Sequence, residues 1–146
     1  MKTAKIINSA INGIYKKNPE RWMLQEDGEV SYLTNTYVLY KIKDCPLKAV
    51  GKLESNDSMK NMFEGYLKKE ENLIEVGEPV YQKVSGKCTV NIYKMANDEK
   101  VAINKDLLKH FENYTLKSPG TKKDIVGVYE HGELVGLVCP MRLSEY

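Results

Sequence analysis

Turn signals cut this chain into short runs, and that punctuation constrains the fold more than any other feature. Asp27-Gly28, Asn35-Thr36, Ser85-Gly86, Asn97-Asp98 and His131-Gly132 each separate stretches of strand length. Trp22 to Gln25, Val30 to Thr34 and Tyr37 to Ile42 read as three successive strands. Pro79 to Val84, Cys88 to Tyr93 and Val101 to Ile103 read as three more. In one of them, Cys88, Val90 and Ile92 alternate with Thr89, Asn91 and Tyr93, as a half-buried strand requires. Ile125 to Tyr129 and Leu134 to Cys139 form a last hairpin. A chain cut this way builds antiparallel sheets from neighbouring hairpins.

Helical periodicity appears in three places. Ile7, Ala10, Ile11 and Ile14 give residues 3–17 one apolar face, and Asn18-Pro19 ends that helix. Residues 58–68 carry Met59, Met62, Phe63, Tyr66 and Leu67 at similar spacing, with Asn56, Asp57 or Ser58 as the cap. Asn104 is placed to cap a helix whose core face is Leu107, Leu108 and Phe111. Residues 44–57 read as a loop with room for a short strand, 72–77 as a connector and 117–120 as another loop. The expected fold class is α+β in a single domain over 1–146. It has a first lobe over about 1–43, a connector over 44–78 and a second lobe over 79–146. Each lobe packs one helix on a few antiparallel strands, with both helices on one side. The strand before Pro140 is expected at an edge, leaving an apolar, partly exposed strip.

A chain of 146 residues with 42% hydrophobic residues has enough material for one core. Charged residues make up 29% with a net charge of +2, which excludes a strongly basic nucleic-acid binder. Ten tyrosines against two phenylalanines suit strands with one wet face and suit interfaces. Cys45, Cys88 and Cys139 are far apart and odd in number, which points to free thiols in a reducing cytoplasm. The apolar run that opens the chain dies at Asn8-Ser9, so it reads as neither a secretory leader nor a membrane anchor.

Catalytic patterns are thin. His110 follows Asp106 by four residues, a spacing more often found in a surface ion pair than in an acid–base dyad. His131 lies between Glu130 and Glu133 without a second ligand-spaced His or Cys, so no metal is expected. Cys139 sits on a strand with no histidine near it in sequence. Gly127, Gly132 and Gly136 belong to a hairpin and not to a phosphate-binding loop. The expectation is a protein that binds without catalysing and holds no cofactor.

Three stretches resemble one family. Val138-Cys139-Pro140-Met141-Arg142-Leu143 is similar to the C-terminal ending of the bacterial DNA polymerase sliding clamp, the beta subunit. Val101 to Leu108 resembles that family's strand, Asn cap and helix, and Leu33 to Leu39 resembles its turn between strands. The clamp's ending stops at Leu, whereas Ser144-Glu145-Tyr146 follow here. The resemblance implies a clamp-like domain of two similar lobes that acts in DNA replication or repair. It implies a pocket for partner peptides walled by Val138, Cys139, Pro140, Met141, Arg142 and Leu143, with Thr34 and Leu39 from the turn. It also implies sequence-blind contacts to duplex DNA through Lys2, Lys5, Lys16, Lys17, Lys105 and Lys109. Partners would be replication or repair proteins, or further copies of the chain, and no membrane. The plainer alternatives are a terminal strand that only fills its own core and a helix face that is only solvated. Two other functional classes stand beside the clamp relative. One is a small phage or mobile-element accessory protein that mimics a clamp domain and modulates host replication. The other is a structural α+β protein that matches by chance.

Overall fold

The computed structural model describes residues 1–49 and 53–143. Helix α1 (Thr3–Tyr15) leads into a meander of β1 (Met23–Asp27), β2 (Val30–Thr34) and β3 (Val38–Lys43). A 3-10 turn at Pro46–Ala49, β4 (Glu54–Ser55), α2 (Met59–Lys68) and β5 (Ile74–Val76) follow. Next come β6 (Tyr81–Ser85), β7 (Cys88–Lys94) and β8 (Lys100–Asn104), then a 3-10 turn at Lys105–Leu108. The chain closes with β9 (Tyr114–Ser118), β10 (Val126–Glu130) and β11 (Glu133–Val138). The α+β class is as expected. Among the described residues, no helix is long and apolar enough to cross a membrane.

The main sheet has eight strands in the order β4-β1-β2-β3-β11-β10-β9-β5. Its order is palindromic in plan: two three-strand meanders meet at a seam where β3 pairs antiparallel with β11, Tyr40 opposite Gly136. A second sheet, β6-β7-β8, lies apart. The strand expected at an edge is therefore central, between β3 and β10. It is held there because Val138 is fully buried and Leu134 and Leu137 nearly so.

Side chains alternate across the main sheet, so each strand feeds two cores. Leu24, Leu33, Val38, Tyr40, Val128 and Val138 face α1 through Ile6, Ala10 and Ile14. Tyr93, Val101 and Ile103 of the second sheet join that core. Met23, Tyr32, Leu39, Tyr129 and Leu137 face the other way, onto Met59, Phe63 and Tyr66 of α2. The two α-helices thus lie on opposite faces of the sheet.

The second lobe departs from expectation at its helix. Asn104 does cap, its Oδ1 accepting from the Asp106 N–H at 3.0 Å, but only one 3-10 turn follows. Asn113 takes a left-handed φ of 46° and Tyr114 opens β9, so there is no length for a helix. Leu108 and Phe111 are buried beside α1 all the same, which keeps this turn on the α1 side.

Residues 44–78 are not a free connector. They place β4 parallel to β1 at one edge, carry α2 across the face, and place β5 against β9 at the far edge. This strap fills both edges of the main sheet with strands of two and three residues. Lys117 and Ser118, read as loop, are the end of β9, and Pro119-Gly120 turns out of it.

Candidate functional site

The cleft with the most consistently apolar lining lies where the first residues of α2 meet the ends of β3 and β11. It has a volume of about 190 Å³, and none of its lining residues carries a charge. That is below the roughly 300–1,000 Å³ of small-molecule sites, so it suits one or two inserted side chains.

One wall is the turn between β2 and β3. Asn35 Oδ1 accepts from the N–H groups of Tyr37 and Val38, each at 3.0 Å. Thr34 Oγ1 donates to the Val38 carbonyl at 2.8 Å and accepts from the Thr36 N–H at 3.0 Å. These bonds hold Thr36 at φ 81°, a region that a β-branched residue rarely enters. Such strain persists only where surrounding bonds enforce it. The turn presents Tyr37 outward, 63% exposed.

The second wall is the end of β11. The Cys139 N–H donates to the Tyr37 carbonyl at 2.9 Å, fastening strand end to turn. The third wall is α2, with Met59 buried below and Met62 44% exposed at the rim. Ile125 and Leu137 complete the lining.

Of the residues expected to bind a peptide, Thr34, Leu39, Val138 and Cys139 meet in this cleft. Pro140, Met141, Arg142 and Leu143 are not among its lining residues. Pro140 has no N–H to extend the ladder, and the Met141 N–H donates instead to the Ala102 carbonyl at 2.7 Å. Met141 and Leu143 then pack on Val90, Ile92 and Ala102 of the second sheet. Two residues of the expected strip, Met141 and Leu143, therefore pack on the protein's own core, and Arg142 is exposed. Ser144-Glu145-Tyr146 lie outside the described residues. Met23, Met59, Met62 and Ile125 are additions that the strip alone did not point to.

The lysines divide. Lys16 pairs with Glu20 at 3.2 Å, while Lys17 and Lys105 are exposed. Lys2, Lys5 and Lys109 all act electrostatically on His110, which is 8% exposed. Burial and, secondarily, these three cations push the His110 pKa below its usual value. Its Nε2 lies 3.2 Å from Ser9 Oγ, so the histidine is partnered by Ser9 and not by Asp106. Its Nδ1 is buried and has no hydrogen-bond partner among the described residues.

Other candidate chemistry disperses. Glu130, beside His131, accepts at 2.7 Å from the Glu112 N–H, and among the described residues no three His, Cys, Asp or Glu side chains converge. Burial raises the Cys139 pKa, opposite to what an activated nucleophile needs. Set against family models, curated proteins and solved structures, the chain matches none of them, and its likeness to the sliding clamp rests on the three stretches of sequence alone.

Proposed function

We propose that this chain is a non-enzymatic binding module that holds an apolar segment of a partner protein in the cleft between α2 and the β3–β11 seam. The observation that carries the reading is an uncharged, preformed cleft with one strained turn as its wall and two large apolar side chains, Tyr37 and Met62, exposed at its rim. Methionine adapts its shape to varied partners, and three methionines line this site. The setting in DNA replication or repair, in the cytoplasm, rests on resemblance to the clamp family, whose partner peptides dock beside the equivalent strand and turn.

Selection from a displayed peptide library, followed by calorimetric titration of the enriched peptides, tests the proposal. Binding is expected to weaken at least tenfold in Met62→Glu and in Tyr37→Ala, both exposed positions where folding is spared. Peptides bound equally well by both variants would refute it. Self-association by continuing the main sheet is disfavoured, because its edge strands β4 and β5 are only two and three residues long.

A second reading rests on Lys2, Lys5 and Lys109, whose charges all act on His110 near the point where the Lys2 N–H meets the His110 carbonyl. Such lysines contact phosphates of duplex DNA without reading sequence. Affinity would then fall with salt by a slope of about −0.9 per phosphate neutralised, and lose about one such unit in Lys109→Ala. A salt-independent interaction would exclude it.

A further inference from the structure

The cleft does not end at Met62. A second hollow of about 440 Å³ lies on the same side of α2 and shares Met62, Ile125 and Leu137 with the first. The two adjoin along the helix, with Met62, Ile125 and Leu137 between them. The two ends of this pair differ in charge. The end near Met59 has no charged lining residue, whereas the far end is lined by Lys69, Lys123 and Asp124. Neither lysine is in an ion pair among the described residues. Asp124 is engaged locally, its Oδ2 accepting from the Thr121 N–H at 3.1 Å. Lys68, the last residue of α2, adds a positive charge near that end, while Asp124 and Glu70, both of which act on Tyr66, reduce it.

We infer that these adjoining hollows take a short extended peptide with an apolar anchor at one end and carboxylates at the other. The inference rests on the binding function proposed above and names the chemistry of the partner. The anchor fills the uncharged cleft beside Met62, and the carboxylates meet Lys69 and Lys123. The ten residues of α2 span roughly 15 Å, a length that about four or five extended residues match. Gly65 lies between the two ends, and a Cβ added there would meet nothing within 4 Å. The hollow is open above Gly65, so a longer side chain there has room to occupy it.

Fluorescence anisotropy with labelled six-residue peptides tests this. Each carries a Phe-Leu anchor and ends in Asp-Asp, Asn-Asn or Lys-Lys, made in both chain orders. The Asp peptide is expected to bind about tenfold tighter than the Asn peptide at low salt, and the gap closes at high salt. Lys69→Glu with Lys123→Glu reverses the preference between Asp and Lys peptides. Gly65→Gln fills the second hollow and removes the advantage of the Asp peptide while the anchor still binds. That variant improves helix propensity, so a loss of binding is not a loss of folding. Asp and Asn peptides that bind equally, yet still depend on Met62, would overturn this inference and leave the binding function standing. No binding by any peptide would overturn both.

Discussion

The Tyr66 hydroxyl is wedged into the main sheet, and removing it alone should cost a large part of the protein's stability. Gly127 of β10 faces Lys117 of β9 in the ladder, and the hydroxyl stands between them. It accepts from the Gly127 N–H at 2.8 Å and donates to the Lys117 carbonyl. Tyr66→Phe keeps the ring and deletes this bridge. The Gly127 N–H is buried, and a buried donor left unpaired costs about 1–3 kcal/mol. The Lys117 carbonyl is partly buried and adds a smaller amount. A total of about 2–4 kcal/mol is expected from a stability of roughly 5–15 kcal/mol. In urea denaturation this moves the midpoint down by roughly 1–2 M with the slope unchanged. Gly127→Ala attacks the same bridge from the strand. Its Cβ would lie 2.5 Å from a Tyr66 ring carbon and 2.9 Å from the hydroxyl, so the ring must withdraw. Because the bridge can be lost only once, the double variant should lose less than the sum of the two single losses. Single losses below about 0.5 kcal/mol, or full additivity, would refute the wedge.

Further predictions follow from the titrating groups and the cleft. The His110 pKa is lowered on folding, so the unfolded chain takes up the proton first as pH falls below about 6.5. Stability should then decline from pH 7 to pH 5, and chemical denaturation of His110→Gln should show a flatter profile across that range. Burial pushes the phenols of Tyr66 and Tyr93 up to about 12, so folding disfavours their ionisation. Stability should fall as pH rises from about 10 toward 12, with tyrosinate absorbance rising together with unfolding. Met62→Ala, at an exposed position, should change stability by less than about 0.5 kcal/mol while weakening peptide binding. A matched loss of both in thermal melts and anisotropy would show that Met62 serves the core.

Local pattern made α1, α2 and the three hairpins legible, because turn chemistry and periodicity act within a few residues. Elements that exist only through distant partners were not. β5 has three residues and pairs with β9, some forty positions on. β9 ends in Lys117 and Ser118, and its last side chain is a fully buried serine whose Oγ accepts from the Gly120 N–H. A polar residue before Pro-Gly reads as loop when that bond is not visible. The Asn104 cap was legible, but the brevity of what it caps was set by Asn113. Thr34, Leu39, Val138 and Cys139, expected together from the resemblance, meet in one cleft because strand end and turn are joined through Tyr37 and Cys139. The α2 wall was not legible, since its place depends on a helix crossing from one meander to the other. Met141 and Leu143 were misplaced for the same kind of reason: the second sheet that receives them is assembled from another part of the chain.

The seam joins Tyr40 to Gly136, roughly a hundred residues apart in sequence. During synthesis at about 5–20 residues per second, β3 therefore waits on the order of 5–20 seconds for its neighbour. Through that interval Leu39 and Val38 flank an open hydrogen-bonding edge, and α2 has only half of its eventual bed. Closure of that one ladder comes late and joins the two meanders, so a chain still on the ribosome is expected to bind a holding chaperone at its open β3 edge.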